Sequence, residues 1–394
     1  MDGMMKGPLN GIKVLEFAQI AAGPFAGSLF ADLGADVVKV ERPDGGDGMR
    51  TWPPAIQGAD GPVESGNFAS VNRNKRSITV DVKNPEEMRR FFALVAEADL
   101  FIENYRPGVP KRLGLGYDDL RKHNPRLVYC SISGYGQTGP YSEKGAFDVT
   151  VQAISGVMSV TGEESGPPVK CGVPVGDFGA GLYGAFTSLA AIMNARKTGQ
   201  GAYIDCSMLG SLLGMAALQT SEFFGTNKPP KRLGSEHPRN APYQGFDAKD
   251  RPFTVAAGND KLWRDFCAVV NLPDLPNDPR FTTQFDRARN QKELAAIVKP
   301  IFLTKNAAEW IAALDAKGIP CAIVLDYSEI LSNEQVAHMG LVRDMKLSNG
   351  ATTKTVGFPI NVSGFTFDIE RAPPQLGAHN DEVFAEWTKG TRNS

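Results

Sequence analysis

The sequence has little from which a metal centre or a disulfide frame could be built. Its 394 residues include five cysteines, at positions 130, 171, 206, 267 and 321, with no paired spacing. That argues against a zinc site and against a stapled secreted scaffold. Four histidines form no ligand-like cluster, so no metal is expected. An excess of charge is also missing: 42 Lys and Arg against 44 Asp and Glu leave a net charge of −2. Neither nucleic acid nor an anionic membrane is favoured as a partner. No apolar run reaches about 18 residues, the length that spans a bilayer. Met1-Asp-Gly-Met-Met-Lys6 lacks the apolar core of a secretion signal. A soluble protein of the cytoplasm is the expectation.

What is present is an alternation of short apolar runs and helix-like segments. Ile12–Phe17 reads as a strand, a helical run follows to Leu33, and Val37–Val40 is the next strand. Strand, helix and strand within about 30 residues imply a parallel βαβ unit. The pattern repeats. Ser77–Val82, Leu100–Glu103, Leu127–Ser133 and Ala202–Met208 read as strands. Pro85–Ala98, with Asn84 as its cap, and Gly179–Arg196 read as helices. The fold class is therefore α/β, with a doubly wound parallel sheet. Thr226–Asn240 turns to Lys, Pro, Gly, Arg and His and reads as a linker. A hairpin, Tyr243–Phe246 and Phe253–Ala256, then precedes helical segments at 261–270, 291–302 and 306–317. Three regions result: a large domain over 1–225, a smaller α+β domain over 226–320, and a C-terminal segment over 321–394 that rejoins the first domain.

Asp177 stands out in Cys171-Gly-Val-Pro-Val-Gly-Asp-Phe-Gly-Ala-Gly-Leu-Tyr-Gly184. Glycines allow a ligand to approach the backbone, and N–H groups there can face a developing oxyanion. The commoner use of such an Asp is to cap the helix that follows. Gly179-Ala-Gly181-Leu-Tyr-Gly184, with Asp205 about 20 residues on, also matches a dinucleotide fingerprint. The residues before it are broken by Pro174 and two glycines, so the strand that fingerprint needs is missing.

Cations recur at strand ends and in loops: Arg42, Lys83, Arg106 and Arg112. Ligands of doubly wound sheets bind beyond the carboxyl ends of strands, and Arg grips phosphate bidentately. Each alone reads as solvated surface, but together they point to a phosphorylated ligand. Ser131-Ile-Ser-Gly-Tyr-Gly-Gln-Thr-Gly-Pro-Tyr141 is a glycine-rich loop that a tight turn also explains. No Gly-x-Ser-x-Gly elbow is present, and no histidine is near Asp177 in sequence.

Several segments occur in a fixed order: Leu33-Gly-Ala-Asp-Val-Val-Lys-Val-Glu-Arg-Pro43, Asn72-Arg-Asn-Lys-Arg-Ser77, Glu103-Asn-Tyr-Arg-Pro-Gly108, Ser133-Gly-Tyr-Gly-Gln-Thr-Gly-Pro140, Gly176-Asp177 and Pro373-Pro-Gln-Leu-Gly-Ala-His379. This set resembles the class III CoA-transferases along essentially the whole chain. The resemblance implies an interlocked homodimer and Asp177 as the catalytic aspartate. It implies CoA contacts at Arg42, Val80, Lys83, Asn104, Tyr105, Arg106, Arg112, Lys144, Gly145, Ala146 and Phe147. It also implies a glycine loop, here Ala257-Gly-Asn259, whose Gly258 and Asn259 would face the oxyanion. That loop has one glycine, where relatives acting on oxalate carry a longer run. The racemases of the same fold place a histidine before the Asp of a Gly-His-Asp motif; here Phe147 precedes Asp148 and cannot carry a proton.

On this resemblance no cofactor is tightly bound, and coenzyme A or acyl-CoA is a substrate. Asp177, at an ordinary carboxylate pKa of about 3.9, would attack the donor thioester without a general base. Asn72–Ser77, Leu113-Gly-Leu-Gly-Tyr-Asp-Asp-Leu120 and Tyr129–Pro140 resemble the dicarboxylate transferases that pair succinyl-CoA with glutarate. A second carboxylate on the acceptor needs a cation, and Arg73, His237 and Arg239 are the residues available by sequence.

Overall fold

Apolar runs without alternation belong to strands buried on both faces. Lys13–Phe17 includes Lys13 and Glu16 but is buried without a break from Val14 onward, and it forms β1 of the computed structural model, which describes residues 7–389. The N-terminal hexapeptide considered above as a signal lies outside them. Next come α1 (Ala22–Asp32), β2 (Asp36–Glu41), β3 (Arg76–Thr79) and α2 (Pro85–Val95). They are followed by β4 (Leu100–Glu103), β5 (Val128–Ser133), α3 (Asp148–Ile154), α4 (Val175–Thr198) and β6 (Ala202–Ser207). The six strands form one parallel sheet in the order β3-β2-β1-β4-β5-β6. Strand order reverses between β1 and β4, which is where doubly wound sheets open a crevice at their carboxyl edge.

The strand period of two sends alternate residues to two cores. Val14, Val37, Leu100 and Cys130 pack under α1 and α4. Leu15, Val38, Phe101 and Tyr129 pack under α2 and the C-terminal helix Asn380–Trp387. Asn84 caps α2 as expected, its Oδ1 accepting from Glu86 and Glu87 at 3.0 and 3.4 Å.

Helix α4 begins at Val175, four residues before the start that its sequence indicates. Gly176, Gly179, Gly181 and Gly184 weaken helix propensity, but here they allow close packing. A Cβ on Gly181 would lie 2.9 Å from the Ala22 carbonyl of α1, and one on Gly184 3.2 Å from the Cys130 sulfur. Phe25 of α1 and Phe178 of α4 stack beside this contact at 4.4 Å. The dinucleotide-like glycine pattern is thus the packing face of a helix.

Four charges lie at 0–1% exposure beneath the loop after β1. Glu16 receives Lys39 at 3.0 Å and Lys75 at 2.7 Å, and Lys39 also meets Asp47 at 2.9 Å. Lys39 donates to the Ala18 carbonyl, Lys75 to that of Pro24, and Asp47 accepts the Ile20 N–H at 3.0 Å. The segment 18–24 is thereby pinned, with Ile20 at φ 65°. A β-branched residue there is strained and persists only because its surroundings fix it.

The chain forms two compact units. The first runs to Val157, resumes over Cys171–Thr226 and takes the chain from Gln335 onward. The second holds Met158–Lys170 and Asn227–Glu334. In it Tyr243–Asp247, Pro252–Ala256 and Cys321–Ile323 form a three-stranded antiparallel sheet, and Gln291–Phe302 and Ala307–Asp315 are helices. These limits differ from boundaries at 225 and 320. Cys321–Ile323 pairs with Pro252–Ala256, so backbone hydrogen bonding carries the second unit past residue 320. In the first unit Arg76 binds Asp36, Glu382 and Glu386, tying Asn380–Trp387 to the sheet.

Candidate active site

At the reversal of strand order a cavity of about 320 Å³ opens. Gln19–Ala22, following β1, form one wall and Asn104–Pro107, following β4, another. The end of β5 and its loop contribute Ile132–Tyr135, Ser142, Lys144 and Ala146–Asp148, and Asp177 stands on the first turn of α4.

Asp177 does not cap its helix, and its carboxylate accepts no hydrogen bond from the described residues. Asp148 caps in its place. Its Oδ1 accepts the N–H groups of Gly176 and Asp177 at 2.8 and 3.4 Å, and its Oδ2 accepts from Gln152 at 2.6 Å. Gln152 in turn accepts the Cys171 N–H at 2.8 Å, fixing the segment that leads to Asp177. Burial, with the Asp148 charge added, pushes the Asp177 carboxyl up to about 6. This corrects the expectation of an ordinary carboxylate. At neutral pH Asp177 is still mostly ionised. If Asp177 acts as a nucleophile it must be unprotonated, so kcat/KM is then expected to fall as pH drops through about 6, not through 4. A pH–rate profile flat down to pH ~4.5 would contradict that.

Of the residues expected to touch CoA, Asn104, Tyr105, Arg106, Lys144, Ala146 and Phe147 line this cavity. Gly145 faces Arg106, whose guanidinium a Cβ would approach to 3.4 Å. Arg42, Val80, Lys83 and Arg112 lie outside it. Arg42 and Val80 directly follow β2 and β3, on the same carboxyl edge. Arg42, Lys83 and Arg112 are exposed and Val80 is buried. Gly258 and Asn259 belong to the second unit, where Asn259 caps the helix Asp260–Val269 by accepting from Leu262 at 2.9 Å. Arg73 is withdrawn from substrate duty: it is buried and pairs with Asp32 at 2.5 Å. His237 and Arg239 also belong to the second unit, with the Arg239 N–H on His237 Nδ1 at 3.1 Å.

The wall Gln19–Ala22 and the cap Asp148 are parts of the site that were not among the residues expected from sequence. Asn104 clamps Gln19 by accepting its N–H at 2.9 Å and donating to its carbonyl at 2.7 Å. Gln19 Nε2 donates to the Tyr105 hydroxyl at 2.6 Å. The rule that places ligands at a switch point would have directed attention to the loop after the first strand. For Asp148 the sequence held no local signal, since it acts 28 residues away.

Residues 9–380 match CoA-transferase family III. Human succinyl-CoA:glutarate CoA-transferase is 37% identical over 96% of this chain and 86% of its own length. The acetyl-CoA:oxalate CoA-transferase of Acetobacter aceti is also 37% identical, over 93% of this chain and 92% of its own. A CAIB/BAIF family protein from Brucella suis superposes with a TM-score of 0.86 at 34% identity, covering 97% of this chain and 100% of that structure. The chain belongs to CoA-transferase family III. It is a CoA-transferase, with CoA thioesters and carboxylic acids as its substrates.

Proposed function

We propose that this enzyme moves CoA from succinyl-CoA to a small dicarboxylic acid such as glutarate, with Asp177 as the covalent nucleophile. The observation that carries the reading is a carboxylate without hydrogen-bond partners among the described residues, on a helix first turn, inside the switch-point cavity. An Asp177 oxygen attacks the donor thioester carbonyl, the C–S bond breaks, and CoA leaves as thiolate from a mixed anhydride. The thiolate attacks the aspartyl carbonyl, the anhydride C–O bond breaks, and the donor acid departs as carboxylate. The acceptor carboxylate then attacks the aspartyl-CoA thioester, and the released thiolate takes the acceptor acyl group and frees Asp177. Each step exchanges one activated acyl bond for another, so no nucleotide is consumed.

In this reading Arg106 and Lys144 serve the phosphorylated end of CoA, with Arg42, Lys83 and Arg112 further along the same edge. Val80, Asn104, Tyr105 and Gly145–Phe147 shape the rest of the CoA path. Succinate and glutarate are the acids named for the human relative. The A. aceti relative is named for oxalate at the same identity, so the acceptor rests on the dicarboxylate class that both share. An interlocked homodimer is part of the proposal, supported by apolar side chains left in the open along α4 and beyond, Phe186 at 75% and Phe224 at 81% exposure. Sedimentation showing only monomer would remove that part.

The test incubates the protein with succinyl-CoA and a panel of isotopically labelled acids and follows new thioesters by mass spectrometry. Transfer to dicarboxylates over monocarboxylates is the expected result. Exchange of an α-proton of a 2-methylacyl-CoA, with no transfer to any acid, would replace the reading with isomerase chemistry.

A further inference from the structure

Glu103, the last residue of β4, is 2% exposed, and no described cation pairs with it. A buried carboxylate without a counter-charge is costly unless its lone pairs are fully used. Here two donors converge on it. The Tyr105 N–H bonds Oε2 at 2.8 Å, and the Ser131 hydroxyl bonds Oε1. Ser131 accepts Gln137 Nε2 at 2.7 Å, and the Gln137 N–H reaches Asp205 at 2.9 Å. Glu103, Ser131 and Asp205 are register partners on β4, β5 and β6, so one row of the sheet carries the whole chain of bonds. Burial, with the Asp205 charge added, pushes the Glu103 carboxyl up to about 7.

One arm ends on the cavity wall, the other on the loop that leads into it. One holds Tyr105, next to Arg106, in the wall that follows β4. The other holds Gln137, in the loop that goes on to Lys144 and Phe147. We infer that Glu103 is a positioning residue for acyl-CoA, spacing this wall and this loop through a single carboxylate. The inference rests on the proposal that this cavity receives CoA. Only a carboxylate offers two acceptor oxygens to the converging donors. An amide of the same shape must turn N–H toward one of them.

Glu103→Gln is therefore expected to raise KM for acyl-CoA about tenfold and the dissociation constant for free CoA by a like factor, with kcat changed less than about threefold. Gln137→Leu cuts only the far arm and is expected to raise KM about threefold. Combined, the two are expected to fall short of the product of their separate effects, because they break one tie. KM left unchanged in both variants, or kcat falling at constant KM, overturns the inference. If Glu103→Gln does not fold, Gln137→Leu with Ser131→Ala decides, and normal KM in both overturns it. Arg106→Ala and Lys144→Ala keep the two readings apart: if they leave CoA affinity intact, the cavity assignment fails, whatever Glu103 does.

Discussion

Asp177→Asn is expected to lower CoA transfer by at least ~10³-fold, because an amide oxygen cannot form the anhydride that the proposed mechanism requires. Thioester formation on a labelled acceptor measures the loss, and a folded variant with full activity would end the nucleophile assignment. The same change is expected to stabilise the fold. The wild-type carboxyl has its folded pKa raised to about 6, against about 3.9 when unfolded. Between those values the folded chain holds the proton more tightly, so this group lowers stability as pH rises from about 4 to about 6. The amide removes a penalty of about 3 kcal/mol at most at pH values above that window and nothing below it. Denaturant titrations near pH 7.5 and near pH 4 should differ in this sense. Equal effects at both pH values would mean that the shift is absent.

Glu16→Ala is expected to destabilise the protein by about 3–5 kcal/mol, because it removes the carboxylate that two buried ammonium groups share and leaves Lys75 with no counter-charge. Lys39 keeps Asp47, but Lys75 keeps only the Pro24 carbonyl and the Asn72 side chain, at 2.8 and 3.0 Å. Burial already lowers the Lys75 amine to about 8, so without Glu16 it is expected to lose its proton near neutral pH. Burial opposes the charge on Lys39 too, but Glu16, Asp47 and Glu41 more than offset this and hold its pKa high. A thermal midpoint lower by roughly 5–10 °C is the expected reading. A shift under ~2 °C would show that the four charges are not a cooperative unit. Because the network pins residues 18–24, activity is expected to fall at temperatures where the fold still holds.

The strands were legible because short, mostly apolar runs such as Lys13–Phe17 have few alternatives, and their spacing dictated parallel pairing. The start of α4 was not legible. Pro174 and four glycines argue locally against a helix, and the features that override them are the Ala22 carbonyl, the Cys130 sulfur and the Asp148 cap, all distant in sequence. Arg73 illustrates the opposite error. In sequence it looks like a free cation in a basic run, but in space Asp32 occupies it. The carbon-rich walls of the cavity were readable only through the strand-end rule, which locates a ligand without naming the side chains that meet it. Asp177 itself was visible as an isolated acid among glycines. Its altered acidity was not, because that comes from burial and from Asp148.

The close seat of α4 on α1, where Gly181 leaves no room for even a methyl group against the Ala22 carbonyl, has a mechanical consequence. Ala22 borders the cavity from the start of one helix and Asp177 from the start of the other. Backbone against backbone, stacked by Phe25 and Phe178, the two starts behave as one anvil. On the proposed function, this contact sets the distance between the Asp177 carboxylate and the Ala22 wall, and an acyl group is fitted to it.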